Sequence, residues 1–400
     1  MKKHLNIYSL IIFLILLVSL ISYSSKKEDY QLIIKVTNTL DFNRAEVVSL
    51  SRKQLNPLLQ KHSETIIKIK KQGETEYVVT QWIDNNQDGV NDELLFQAHV
   101  APNSEAKYIV VVDDTSKIKT TNVVAYSRFV PERTDDYTWE NDKVAFRTYG
   151  PDAQRRIEEQ EEDGTLSSGI DLWLKRVDYA IIDKWYSKNM NEPGYYHTDR
   201  GEGHDPYHVG TSRGTGGIGV WENDSLYVSK NFTTYNRVAK GPLRTVFELS
   251  YAPWSAYQIS EKKKITLDLG SNFSKFEVAL QSEHKVPNYT VGITLHNNKG
   301  KVKLNKEQGW FRHWEPMGKS YVGEGIVISS ETILDAKQHV STIPDQSQLL
   351  VINKPTDRLT YYVGFAWTKS KQVSLVNDWD ELLQKQKKII ENKLIVSIKK

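Results

Sequence analysis

The sequence predicts an all-β fold: a large β-sandwich with few short helices and a single C-terminal helix. Three observations predict it. Short β-branched runs such as Leu32-Ile33-Ile34-Lys35-Val36 and Tyr108-Ile109-Val110-Val111-Val112 recur along the chain. Turn-forming residues separate them at strand-like spacing, as in sandwiches and barrels. Helical periodicity is confined to one clear stretch near the C-terminus.

In chain order, Lys2, Lys3 and His4 precede an apolar run over residues 7–21, and Lys26-Lys27-Glu28-Asp29 follows. This is the layout of a secretory signal peptide, assigned to residues 1–27, and it is shorter than the roughly 20 residues a spanning helix needs. Ser22-Tyr23-Ser24 fits the cleavage rule loosely, which leaves an uncleaved N-terminal anchor as the alternative. The expected location is the periplasm or the exterior, with no membrane contact after export. Of 53 basic residues, four lie in residues 1–27, so the remaining chain carries 49 against 50 acidic. That balance lacks the basic footprint of a nucleic-acid binder. With no cysteine the chain can have neither a lipid-anchored thiol nor a disulfide framework, so stability must come from buried core.

Residues 28–115 read as N-terminal strands packed on a main sandwich, residues 116–400, with a soft boundary at 113–122. Further strand signals fall at 65–69, 77–79, 244–251, 264–269, 275–281, 289–296, 323–329 and 361–368. Residues 151–163 are polar and read as an exposed insertion. Residues 377–393 read as a helix, with Asn377 as cap, lysines in the later turns, and Trp379, Leu382, Leu383, Ile389 and Ile390 on one side.

Three constellations carry chemistry. The first is Asp84-Asn85-Asn86-Gln87-Asp88-Gly89-Val90-Asn91-Asp92-Glu93. Oxygen side chains at alternate positions suit a structural calcium site built from Asp84, Asn86, Asp88 and Asp92. Leu95 stands where a bidentate glutamate is required, so an acid-decorated hairpin turn bending at Asp88-Gly89 is the other reading. The second runs from Arg128 to Gly150 and interleaves aromatics with arginine and carboxylates. Rings stack on sugar faces and guanidinium forks bind hydroxyls or carboxylates. Trp139, Arg147 and Tyr149 are the substrate-binding candidates there, and Phe146 reads as core.

The third, residues 195–219, is the richest. Three of the ten histidines and eight of the 22 glycines lie between Gly194 and Gly219, a composition with little to bury. Two chemistries fit it: proton transfer on a sugar, or a metal site drawn from His197, Asp199, Glu202, His204 or His208. No zinc motif matches the spacing, which favours acid–base work. Trp173 and Lys175, with Arg176, Lys184 and Trp185, again mix rings with cations. Residues 310–316, Trp310-Phe311-Arg312-His313-Trp314-Glu315-Pro316, form a second aromatic cluster in which Trp314 is a possible cleft wall.

The motif Phe129-Val130-Pro131-Glu132-Arg133 leading to Trp139-Glu140-Asn141-Asp142, with Tyr196-His197-x-Asp199-x-Gly201-Glu202-Gly203-x-Asp205-x-Tyr207-x-Val209-Gly210, resembles a secreted bacterial family. That family was long labelled a domain of unknown function and includes the ulvan-oligosaccharide dehydratases. The resemblance spans about residues 32–379. It implies a carbon–oxygen lyase that removes water from acidic oligosaccharides ending in an unsaturated uronic acid, with no cofactor required beyond a possible structural calcium. On this reading His197 and Tyr207 form the acid/base pair and Arg213 clamps the uronate carboxylate. Glu202 and Asp205 orient them, and Tyr196 and Asp199 join Trp139, Arg147, Tyr149, Trp173, Lys175 and Trp314 in binding substrate. Residues 241–249 followed by 265–268 are similar to strand pairs of galactose-mutarotase-like super-sandwiches. A non-catalytic glycan-binding module and a hydrolase using Glu202 and Asp142 remain the alternatives.

Overall fold

The computed structural model describes residues 32–399 except 118, 208 and 210–212. The signal-peptide assignment, His208, and the Thr211 and Ser212 of the glycine-rich ribbon therefore lie outside the described residues. Among the described residues no helix is long and apolar enough to cross a membrane.

Antiparallel sheets build the molecule. An eight-stranded sheet runs in the order 232–240, 244–254, 259–268, 273–281, 358–367, 320–328, 310–317, 301–305. A five-stranded sheet, ordered 225–228, 215–222, 289–294, 348–353, 333–339, faces it. Period-2 alternation turns one side of each inward: Ile218, Val220, Val291 and Val351 meet Phe247, Phe276, Phe311 and Val363 in one core. A second five-stranded sheet, ordered 203–204, 171–175, 145–148, 136–140, 126–130, adds Tyr137, Trp139, Phe146 and Leu172 to the same core. The chain is thus an all-β sandwich, as its strand pattern predicts.

The N-terminal strands enclose a core of their own, including Ile34, Leu50, Phe96 and Val110. They attach to the large sheet through Val47, Ile83 and Leu95 against Leu243 and Val246. Gln81 ties the two by accepting the N–H groups of Leu243 and Arg244 and donating to the Arg244 carbonyl. One strand departs from a simple division at 115/116. The C-terminal Ile395–Lys399 pairs with Leu32–Asn38 and so completes the N-terminal sheet.

Two local expectations change. The polar stretch at 151–163 is mostly exposed, as expected, but its first part is a helix, Pro151–Glu158, opened by a proline at its first turn and laced by Asp152 with Arg155 and Arg156. The C-terminal helix is Val376–Glu391, and Asn377 does not cap it. The Asp378 carboxylate turns back instead and accepts the N–H groups of Ser374 and Leu375 at 2.7 and 2.9 Å. Its apolar side drops onto the outer face of the eight-stranded sheet at Gly323 and Gly325, where a Cβ would stand 2.5 Å from Trp379 or Leu383.

Candidate functional site

Strand pairing places the first half of the site. Arg147 lies opposite Asp171, and the short strand Gly203–His204 adds to the same sheet beside Leu174 and Lys175. Gly203 is required there, since its φ of +127° and a Cβ only 1.8 Å from the Leu174 carbonyl exclude any side chain. The Arg147 guanidinium donates to Asp171 Oδ2 at 2.6 and 3.1 Å and to Asp205 Oδ2 at 2.8 Å, and its Nη1 stands 3.8 Å from Asp136. The rings of Tyr149, Trp173 and Tyr196 surround it at 5.3–5.6 Å.

One buried cation thus serves three buried carboxylates. Burial pushes Asp205 well above the usual carboxylate range, reinforced by Asp171 and opposed by Arg147. It raises Asp171 too, and lifts Asp136 to about 6 against the pull of Arg147 and Arg133. Arg147 itself stays firmly protonated, because Tyr149 and the carboxylates outweigh the cost of burial.

His197 is the accessible end of this network, with half its side chain exposed. Its Nδ1 sits 3.0 Å from the Asp205 carbonyl and 3.6 Å from the Asp205 carboxylate. A carbonyl oxygen can only accept, so in the neutral ring Nδ1 carries the proton and Nε2 is left as the basic nitrogen. Beside it, Arg176 and Lys369 converge on Asp199 at 2.8 and 3.3 Å, with both cations over Trp367. His204 packs against Trp367 with ring centroids 5.5 Å apart, and its burial holds it below the ordinary histidine value.

The second half lies between the two facing sheets. His313 and Glu324 are direct cross-strand partners, and Glu315 follows His313 by two residues, hence on the same face. His296, just past strand Tyr289–Thr294 of the opposing sheet, completes the group. His313 Nδ1 stands 2.7 Å from Glu324 Oε2, and His296 Nδ1 stands 3.1 Å from Glu315 Oε1. Tyr207 stacks on His296 at 4.6 Å and donates its hydroxyl to Glu315 at 2.6 Å, while Thr215 donates to Glu324. One nitrogen or oxygen from each of His296, His313, Glu315 and Glu324 lies within 4.8 Å of the others. Burial and the Glu324 and Glu315 carboxylates push the Tyr207 hydroxyl well up.

The structure brings His197, Asp205, Tyr207, Arg147, Tyr149 and Tyr196 into one neighbourhood, but Arg147, Tyr149 and Tyr196 are buried there and do not present themselves to a substrate as expected, and several others are likewise removed from direct contact with a ligand. Trp139 is wholly buried, stacked on Phe146 with its indole N–H on Ser274, so it cannot be a sugar platform. Phe146 is core, as expected. Trp173 is equally buried beneath Arg147 and stacks on Tyr196. Lys175 is buried and saturated by Glu140 and the carbonyls of Asn141 and Tyr179. Trp314 points to the helix side of its strand, against Tyr321 and Gly323, because residues 313 and 315 take the other face. Arg213 cannot clamp a uronate. It is 2% exposed, donates to the Gly217 and Thr290 carbonyls, and is lowered by burial to about 9. Glu202 anchors the loop, bound by Lys184 at 2.6 Å, the Trp185 indole and Tyr179. Asp142 caps the N–H of Gly270, so the carboxylate pair of the hydrolase alternative is engaged elsewhere.

The acidic loop forms the hairpin turn between strands Thr80–Ile83 and Glu93–Val100, with Gly89 at φ +89°. Asp84 accepts the N–H groups of Gln87, Asp88 and Gly89, Asp88 that of Val90, and Asp92 that of Asn85, while Asn86 donates to Asp88. These contacts close the turn through its own amides.

Nothing in the sequence alone marks His296, His313, Glu315 and Glu324 as a group. The alternation His313-x-Glu315 within a strand is the available signal, since it puts both groups on one face.

Fold and site together define an all-β sandwich protein with a cluster of histidines, carboxylates and tyrosines where three sheets meet. Residues 36–396 match the family described as "Domain of unknown function (DUF4861)", and the chain belongs to that family. It is 43% identical over 395 residues to "Uncharacterized protein P7" of Formosa agariphila, covering 97% of this chain and 99% of that protein. Among solved structures it is similar to a protein in glycosyl hydrolase family 38 from Enterococcus faecalis (TM-score 0.50, 8% identity) and to an alpha-mannosidase from Enterococcus faecalis V583 (TM-score 0.51, 9% identity). Each likeness covers 92% of this chain, which spans about half the length of either structure, 47% and 46%. At such identity the likeness is one of fold.

Proposed function

We propose that this chain is an exported carbon–oxygen lyase that removes water from oligosaccharides ending in an unsaturated uronic acid, of the ulvan type. The observation that carries the reading is the His197–Asp205–Arg147 array, an accessible imidazole held by the Asp205 backbone carbonyl, with the buried Asp205 carboxylate 3.6 Å away in contact with a buried guanidinium. Few structural roles need an exposed histidine so supported. The fold is shared with proteins named as glycosyl hydrolase family 38 and alpha-mannosidase, which supports a carbohydrate substrate.

In the proposed reaction His197 Nε2 takes a proton from a ring carbon, and Asp205 stabilises the imidazolium that forms. The Tyr207 hydroxyl, which already donates to Glu315, gives a proton to the departing hydroxyl. The C–H and C–O bonds break, a C=C bond forms and water leaves. With Arg213 buried, the clamp passes to Arg176 and Lys369, whose charges a uronate would share with Asp199; they stabilise charge growing on the carboxylate during proton loss. Burial of Trp139, Trp173 and Trp314 takes three stacking platforms from the binding-module alternative.

Mass spectrometry of lyase-generated unsaturated uronate oligosaccharides tests the reading. Wild type should yield a product lighter by one water, with the unsaturated-uronate absorbance altered by the new C=C bond. His197→Ala should fold normally and lose about 10²- to 10⁴-fold in rate. Shortened oligosaccharides would indicate hydrolysis instead, and unchanged mass with retained binding would indicate a module.

A further inference from the structure

We propose that His296, His313, Glu315 and Glu324 bind one divalent transition-metal ion of zinc-like chemistry, in a site distinct from the acidic 84–93 loop. The inference does not rest on the dehydratase reading.

Charge is the first argument. Glu324 is 1% exposed and Glu315 is 4% exposed, and among the described residues neither is paired with a lysine or arginine. Their only counter-groups are the two imidazoles, together with hydroxyls from Tyr207 and Thr215. Two buried carboxylates with no lysine or arginine opposite them among the described residues carry negative charge in a poorly solvated place, which the imidazoles offset only by holding extra protons. A divalent cation cancels it.

Geometry is the second. Two nitrogens and two carboxylate oxygens within 4.8 Å of one another are the donor set that zinc and its neighbours take. At metal–ligand distances of about 2.0–2.2 Å, tetrahedral donors stand about 3.4 Å apart, so closure needs side-chain movements on the order of an ångström. Three of the four sit on adjacent strands of the large sheet and are fixed by its ladder.

The surroundings are the third. Glu315 and Glu324 each hold a hydroxyl, Tyr207 and Thr215, in the outer positions that orient metal-bound carboxylates. The buried Nε2 of His313 has no hydrogen-bond partner and lies against Gly300, where a Cβ would come within 2.0 Å. The Tyr207 contact would place the ion one carboxylate away from the proposed proton donor.

The test uses the full exported chain, stripped with a chelator and titrated with zinc alone by calorimetry, with metal content measured after dialysis. One ion per chain is expected, together with a rise in Tm on zinc addition. Cobalt substituted at the site should give visible d–d absorption of mixed nitrogen and oxygen coordination. His296→Gln, changed at the partly exposed edge, should keep the metal-free Tm and circular dichroism of wild type. It should nonetheless lose more affinity than the roughly 10–100-fold that an outer partner costs, and Glu324→Gln should do the same. Substoichiometric zinc in wild type, or undiminished binding in both variants, overturns the proposal. Because metal content and the cobalt spectrum are read without substrate, these outcomes are separable from failure of the dehydratase reading.

Discussion

At the scale of residues, the centre of gravity is Arg147. A guanidinium with 4% exposure contacts Asp171 and Asp205 directly and Asp136 at longer range, under three aromatic rings. Asp136 gives this cluster a measurable pH signature. Its carboxyl lies at about 6 in the fold, chiefly through burial, against an ordinary 3.8. Below pH 4 both folded and unfolded chains hold the proton. Between about pH 4 and 6 the unfolded chain releases it while the fold keeps it, so stability falls as pH rises, by roughly 3 kcal/mol, and then levels off. Asp136→Asn should remove this component. Urea melts of both proteins at pH 4 and pH 7 should show the variant gaining on wild type as pH rises, and a constant difference would contradict the assignment. The ribbon that carries His197, Asp205 and Tyr207 was legible in the sequence because a stretch rich in glycine and titratable groups has little to pack. Trp139 and Arg213 were not, because residue type alone does not say which face of a strand points inward. Trp139 fell to the core, and Arg213 to a strip cleared by Gly217, Gly219 and Gly292.

At the scale of elements, strand Trp310–Met317 does two jobs by alternation. Phe311, His313 and Glu315 face the core and the second half of the site, while Trp310, Arg312 and Trp314 face the helix Val376–Glu391. Trp379 is the helix's main anchor, wholly buried, stacked parallel to Phe273 at 5.5 Å and hydrogen-bonded to the Glu324 carbonyl at 3.1 Å. Trp379→Ala should therefore cost about 3–5 kcal/mol in chemical denaturation. A loss below about 1 kcal/mol would show that the helix is not held by this face. The sequence marks this helix through its amphipathic period but misplaces its cap, since Asp378 reaching back and Asn377 capping directly look alike in residue order. Strand boundaries slipped for the same local reason. Residues 64–66 form a tight turn before strand Ile67–Lys71, and the strand expected at 77–79 begins at Thr80.

For the molecule as a whole, the first and last described strands are joined. Ile395–Lys399 pairs along Leu32–Asn38, and Val396 and Ile398 pack on the N-terminal core. Ending the chain after Lys393 removes that edge and exposes the backbone of Leu32–Asn38. The truncated protein should lose a few kcal/mol, from three partly buried apolar side chains, Leu394, Val396 and Ile398, at no more than about 1.5–3 kcal/mol each, and an unpaired strand. Limited proteolysis should then cut first within the N-terminal sheets, at 32–112. Cleavage that instead begins in the eight-stranded sheet would show that the ends do not support each other.

Composition and local pattern by themselves determined that this chain is all-β, that its core must hold without disulfides, and that one ribbon concentrates glycine and titratable groups. Those properties follow from period-2 alternation, the lack of cysteine and the cost of ordering glycine, all of which are local. Tertiary structure alone decided which charged groups meet. Asp136, Asp171 and Asp205 come from three segments to share Arg147, and His296 crosses from one sheet to join His313, Glu315 and Glu324 on the other. Such encounters depend on sheet order and register across up to about 70 residues of chain, and the energy of a buried charge is set by what stands opposite it in space rather than beside it in sequence.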